Sequence, residues 1–275
     1  MIFDDTPCAL GEGPLWHPER DQLFWFDIIN HRMHTKGQHW DFKGHVSAAG
    51  WVDYDTLLVA SEIALHRFDI ASGDHVKIMD LEHDLEGTRS NDGRADPQGG
   101  YWIGTMGLGA EAGHGSIWRF YRGELRKLYA DLAISNSICF APDGRTAYFT
   151  DTPTQQIMRV ALDAAGWPTG RPEVHIDLTG TDLYPDGSVV DAAGNLFNAQ
   201  WGSGRVAAYD PQGQFIEAFE VPALHTSCPA FGGADLSTLY ITTARQGMDA
   251  PDAAQGLTYR IPTPYTGQRE HRVIL

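Results

Sequence analysis

Four short segments, far apart in the chain, set polar side chains beside glycine or proline. They are Gly11-Glu12-Gly13-Pro14-Leu15-Trp16, Arg89-Ser90-Asn91-Asp92-Gly93, Ile134-Ser135-Asn136-Ser137-Ile138 and Tyr184-Pro185-Asp186-Gly187-Ser188. Among them Glu12, Asn136 and Asp186 offer two carboxylates and one amide oxygen. That is the ligand chemistry of a hard or borderline divalent cation, with positions left for water or substrate. Taken singly, each of the three also reads as a turn-capping side chain. A site exists only if the fold makes them converge. Other chemistry competes poorly: there is no HExxH among the 12 histidines and no GxSxG elbow. His31 and His34, three apart on an expected strand, point to opposite faces. Gly107-Leu108-Gly109 opens no helix that could cradle phosphate, and the acidic turns lack the EF-hand pattern.

The elements that must position these residues repeat. Six apolar segments rich in aromatic and β-branched residues read as strands: Leu23–Phe26, Leu57–Ala60, Tyr101–Gly104, Ala147–Thr150, Leu196–Ala199 and Leu239–Thr242. Their starts are separated by roughly 34, 44, 46, 49 and 43 residues, near the period of propeller blades. Each is followed by a second strand-like run with a basic residue, such as Leu65-His66-Arg67-Phe68 or Ile157-Met158-Arg159-Val160. Turn signals such as Asp96-Pro97-Gln98-Gly99 and Pro142-Asp143-Gly144-Arg145 punctuate the hairpins. No stretch has a sustained helical period, and Asp80–Glu86 could hold at most a turn or two of helix. The pattern predicts an all-β, six-bladed β-propeller forming one domain over residues 1–275; a β-sandwich would not give this period. The four polar segments precede the expected first strands of their blades by similar intervals. They should therefore gather at the mouth of the central channel. Ile2–Cys8 and His271–Leu275 are the segments that could close the ring.

Composition bounds the partners. The 275 residues are 42% hydrophobic and 20% charged, with 36 acidic against 20 basic residues and a net charge of −16. Such a field repels phosphate backbones and anionic lipid, so neither nucleic acid nor membrane is expected, and no protein partner is implied. No N-terminal targeting pattern or long apolar run is present. Cys8, Cys139 and Cys228 are widely spaced and read as buried free thiols in a reducing compartment, which points to the cytoplasm.

The GEGPLW segment, Arg89–Met106, Ile134–Gly144 and Tyr184–Val206, together with Cys228-Pro229-Ala230-Phe231-Gly232-Gly233, resemble the regucalcin/gluconolactonase family, and more particularly its bacterial sugar lactonases. The resemblance runs from about Cys8 to the C-terminus with the motifs in order. It implies a six-bladed propeller and one divalent metal held by Glu12, Asn136 and Asp186, with zinc, calcium, manganese, iron(II) and magnesium all admissible. It also implies substrate contact by Arg89 and Asn91, with Glu111, in the divergent Gly107–Gly115 loop, as the nearest counterpart of a substrate-binding glutamate. The implied reaction is hydrolysis of an aldonolactone to its aldonic acid. In that reading Asp186 ligates the metal and takes the proton of the attacking water, while Arg89 supplies donors to ring hydroxyls or the developing oxyanion. Met106, Tyr184 and Trp201 could wall the pocket or simply pack blades. Two other readings stand beside this one: hydrolysis of other lactones or esters, and a non-catalytic calcium- or metal-binding propeller.

Overall fold

The computed structural model describes residues 1–275. Its 24 strands form six antiparallel, four-stranded sheets arranged as the blades of a propeller. The innermost strands are Gly11–His17, Val46–Asp53, Thr88–Ala95, Ser135–Phe140, Tyr184–Val190 and His225–Gly232. We number blades one to six by these strands.

The six apolar segments of the sequence lie in the second strand of each blade, not the first. Blades pack face to face, so these strands are covered on both sides. Thr56–Ser61 and Tyr101–Gly107, for example, are buried at every residue, and this continuous burial makes their composition so apolar. The basic runs fall in the third strands. The fourth strands, such as His75–Asp80 and Glu124–Leu132, are largely solvated and carry little hydrophobic signal. A two-strand repeat was therefore visible in the sequence where four strands exist. The apolar core sits between blades: Leu15, Phe24 and Phe26 of blade one interlock with Val46, Leu57, Val59 and Phe68 of blade two.

Asp80 ends a strand and Leu81–Glu86 forms turns and bends, within the expected limit of a turn or two of helix; the one helical element is a 3₁₀ turn at Thr152–Thr154. One expectation is corrected. Ile2–Asp4 closes the ring by pairing with Thr258–Pro262 as the outermost strand of blade six, but His271–Leu275 adds no strand. That tail instead crosses the end of the channel opposite the starts of the inner strands. There Val273 N–H donates to Trp51 O at 2.9 Å and Ile274 N–H to Gly99 O at 2.8 Å. No helix is long and apolar enough to cross a membrane.

The closing strand is held by aromatic packing as well as by its ladder. The Phe3 ring meets Tyr240 of blade six edge-on at 4.9 Å and Trp25 of blade one at 6.1 Å. Phe3→Ala should therefore lower stability by about 2 kcal/mol, seen as a lower urea midpoint with an unchanged slope. Ile2→Ala on the solvent side should cost less than about 0.5 kcal/mol.

Candidate active site

The polar segments are themselves the inner strands of blades one, three, four and five, and each is interrupted at the same level. Between Glu12 and Leu15, Ser90 and Gly93, Asn136 and Cys139, and Pro185 and Ser188, two residues oppose one on the neighbouring strand. Such bulges twist a strand and re-aim its side chains. Glu12 and Asn136 are the last paired residues before their bulges, while Asn91 and Asp186 lie within theirs. The bulge in blade one requires glycine. Gly13 has φ +53°, and a Cβ there would stand 2.2 Å from Ser47 O.

The bulges deliver Glu12, Arg89, Asn91, Asn136 and Asp186 into one cavity of about 340 Å³. All five are buried. A chain of hydrogen bonds orients the neutral members. The Arg89 guanidinium donates to Asn91 Oδ1 at 2.7 Å and to Ser90 O at 2.9 Å. Asn91 Nδ2 donates to Asn136 Oδ1 at 2.9 Å and to Ser135 O at 2.9 Å. Asn136 Nδ2 donates to the Thr152 hydroxyl at 2.9 Å, which in turn donates to Pro185 O at 2.8 Å. Both amides are thereby fixed in orientation, and each amide oxygen keeps a lone pair.

The charged members are less well satisfied. Glu12 accepts the Gly13 N–H at 3.1 Å, and no side chain donates to the carboxylate of either Glu12 or Asp186. Burial, and then the Asp92 charge, pushes the Glu12 carboxyl up to about 8. Burial, followed by the charges of Glu12 and Asp92, holds Asp186 well above the usual carboxylate range. Burial likewise lifts Asp92 to about 6 and lowers Arg89 to about 10. Two buried carboxylates that share a cavity need either protons or a cation. With one fixed amide oxygen beside them, the donor set suits an oxygen-seeking divalent ion.

Other residues fall differently. Met106 and Trp201 line the cavity, the latter with its ring stacked on His225 at 4.3 Å, whereas Tyr184 is exposed and does not line it. Glu111 is exposed and accepts the Gly109 N–H at 3.1 Å, so its carboxylate shapes its own loop while Leu108, Gly109 and Ala110 line the cavity. Thr152, Gln246 and Leu10 also line it without any signal in the sequence motifs. Asp92 lies within the Arg89–Gly93 segment, but only the structure shows it buried, accepting the Ile138 N–H at 2.7 Å. A larger depression of about 630 Å³ lies between blades four and five. Its charged groups Asp143, Arg159, Arg171 and Glu173 are solvated, so it lacks the desolvated chemistry of the channel.

Fold and cavity together define a six-bladed propeller with an oxygen-rich site at one end of its channel. The chain belongs to the SMP-30/gluconolactonase/LRE-like family, whose sequence profile matches residues 10–245. It is 35% identical to the L-arabinolactonase of Azospirillum brasilense, over 98% of this chain and 94% of that one. It is 32% identical to the pentonolactonase of Haloferax volcanii, over 98% and 96%. The crystal structure of a calcium-binding protein, regucalcin, from Agrobacterium tumefaciens superposes with a TM-score of 0.97 at 42% identity, covering 100% of this chain and 97% of that one.

The raised carboxyls have a sign that can be checked. A carboxyl that titrates near 8 when folded, against about 4.5 ordinarily, keeps its proton in the folded state after the unfolded chain has lost it. Stability then falls as pH rises through that window and levels off above it. Chelator-treated protein should melt at progressively lower temperature from about pH 4.5 to about pH 8, and saturating divalent cation should flatten the slope. Thermal unfolding across pH, with and without the ion, measures this.

Proposed function

We propose that the protein hydrolyses a sugar (aldono-) lactone to its aldonic acid, acting as a single propeller domain in the cytoplasm. One divalent metal would be held by Glu12, Asn136 and Asp186. The observation that carries this reading is the pair of buried, donor-poor carboxylates of Glu12 and Asp186, facing the Arg89–Asn91–Asn136 chain in one cavity. The relatives named as arabinolactonase and pentonolactonase support the substrate class. The ion, when bound, would supply Lewis-acid polarisation of the lactone carbonyl.

The chain's own groups would do the rest. Leu10, Met106, Ile134 and Trp201 give the cavity an apolar wall that limits bulk water and faces the C–H side of a sugar ring. Arg89 spends one nitrogen on Asn91 and Ser90, leaving its other N–H groups to donate to ring hydroxyls or to the carbonyl oxygen as charge develops there. Asp186 accepts a proton as water adds to the carbonyl carbon, and returns it to the ring oxygen as the ring C–O bond breaks. Its position is supported by Thr152, which holds Pro185 O immediately before it.

The direct test is a panel of aldonolactones offered to chelator-stripped and metal-reloaded protein. Turnover should vanish on stripping and return to different extents with zinc, manganese, iron(II), calcium or magnesium. Full turnover by protein shown to be metal-free would overturn the assignment. The likeness to the Agrobacterium tumefaciens regucalcin, a calcium-binding protein, supports the alternative of a non-catalytic metal-binding propeller. That reading requires no lactone turnover with any metal.

A second experiment isolates Asp186. Asp186→Asn keeps an oxygen for the ion but removes the base. At metal saturation, with occupancy measured, turnover should fall by about 10²–10⁴-fold. Asn136→Asp, which alters charge at the same ion and spares the base, should lose less. Parental turnover in metal-saturated Asp186→Asn would make Asp186 a ligand only.

A further inference from the structure

The chain segment that leads into Glu12 meets blade one at three side chains that the channel chemistry does not use. Cys8 lies between the closing strand Ile2–Asp4 and the first inner strand, Asp27 ends the second strand of blade one, and His34 stands in its third. They come from distant positions but converge at the seam where the ring closes. The thiol sulfur, a carboxylate oxygen and an imidazole nitrogen lie within 4.8 Å of one another. All three residues are buried, at 1%, 2% and 4% exposure respectively.

One further atom marks this as more than a packing seam: His34 Nε2 is buried without a hydrogen-bond partner. Its ring neighbour is Trp25. The two rings stack at 5.5 Å and 12°. The Trp25 N–H stands beside the Cys8 thiol and partly opposes the rise that burial and the Asp27 charge impose on it. Asp27 already clamps the segment, accepting the N–H groups of Ala9 at 2.9 Å and Leu10 at 3.1 Å and the Asn30 amide at 2.7 Å. Its remaining contact, from Asn30 N–H to Oδ1, is long at 3.4 Å and leaves that oxygen able to accept more. A buried, unpaired imidazole nitrogen in a folded protein calls for a ligand or an explanation.

We infer that Cys8, Asp27 and His34 form a second cation site, separate from the channel, that takes zinc or a similarly borderline divalent ion. Thiolate and imidazole select such an ion over calcium or magnesium, which prefer oxygen alone. Binding exchanges the Cys8 S–H proton for the ion, with one proton released to solvent. Thiolate and carboxylate then balance a doubly charged ion beside a neutral imidazole, leaving no net buried charge. The Trp25 N–H is placed to donate to the thiolate, the outer hydrogen bond that commonly accompanies a metal ligand. The ion would pin the N-terminal segment to blade one. Leu10 of that segment lines the channel cavity and Glu12 follows two residues later, so the pin would steady one wall of the channel site.

Cobalt(II) as a zinc surrogate tests this, because thiolate ligation gives a near-ultraviolet charge-transfer band that oxygen ligands do not. In a Glu12→Gln, Asp186→Asn background, which removes the channel carboxylates, one equivalent of cobalt should give the band. Zinc should displace it and raise the melting temperature. Adding Cys8→Ala should abolish both the band and the zinc-dependent shift, while Cys139→Ala and Cys228→Ala should keep them. His34→Gln should weaken zinc binding at least tenfold. If the background variant does not fold, the parent protein with its channel saturated by magnesium serves instead, and Cys8→Ser replaces Cys8→Ala should the latter not fold. Absence of a thiolate band, or a band that survives loss of the Cys8 thiol, would overturn the assignment.

Discussion

Two carboxylates buried in one cavity repel each other through a medium that screens them poorly, and the rest of the site is organised around that repulsion. Burial pushes both Glu12 and Asp186 away from ionisation; the Asp92 charge adds to the effect on both, and the Glu12 charge to that on Asp186. A flexible scaffold would relieve this by letting the groups turn to water. Here they cannot turn. Glu12 is fixed beside a bulge and Asp186 within one, and their inner strands are wedged between neighbouring blades. The site is kept in a state that favours a cation because the surrounding structure over-determines it.

Polar order around the carboxylates follows from the same constraint. An amide can serve as the proposed ligand only if its oxygen, not its nitrogen, faces the ion. Asn136 could present either. The donor Asn91 Nδ2 on one side and the acceptor Thr152 Oγ1 on the other settle the choice. Arg89 fixes Asn91 in turn and brings the one nearby positive charge without forming a direct ion pair with either carboxylate. A closer ion pair would neutralise the carboxylates and remove the demand for a metal.

The propeller was legible because its second strands are buried on both faces and keep an apolar composition at a steady period. The outer strands were not, since residues such as His75–Asp80 face water and resemble loops. The inner strands were read as segments preceding the first strands for a related reason: their side chains point into a polar channel, so Asn91 and Asp186 replace the apolar residues a strand would otherwise show. Convergence of Glu12, Arg89, Asn91, Asn136 and Asp186 was legible from motif placement. Thr152 was not, because it reaches the cavity from a 3₁₀ turn outside every motif. Glu111 is a different case: its carboxylate accepts the Gly109 N–H of its own loop, and Leu108, Gly109 and Ala110 of that loop line the cavity.

Ring closure and the channel site are a single mechanical problem. The proposed ligands come from blades one, four and five, so the set is complete only when blade one is docked on blade six. That docking is tight at the residue before Glu12, where a Cβ on Gly11 would stand 2.5 Å from Thr243 O of blade six. On the other side of the same segment, Cys8 N–H donates to Gly256 O at 2.8 Å, while Asp27 of blade one holds Ala9 and Leu10. Glu12 is thus placed by contacts to both blades at the seam. Asn136 and Asp186 sit on adjacent inner strands, where Ser137 Oγ donates to Asp186 O. Loosening the seam would move one carboxylate relative to the other two ligands and relieve the repulsion that makes the cavity receptive to a cation. An open ring would therefore keep much of its strand structure while losing the site.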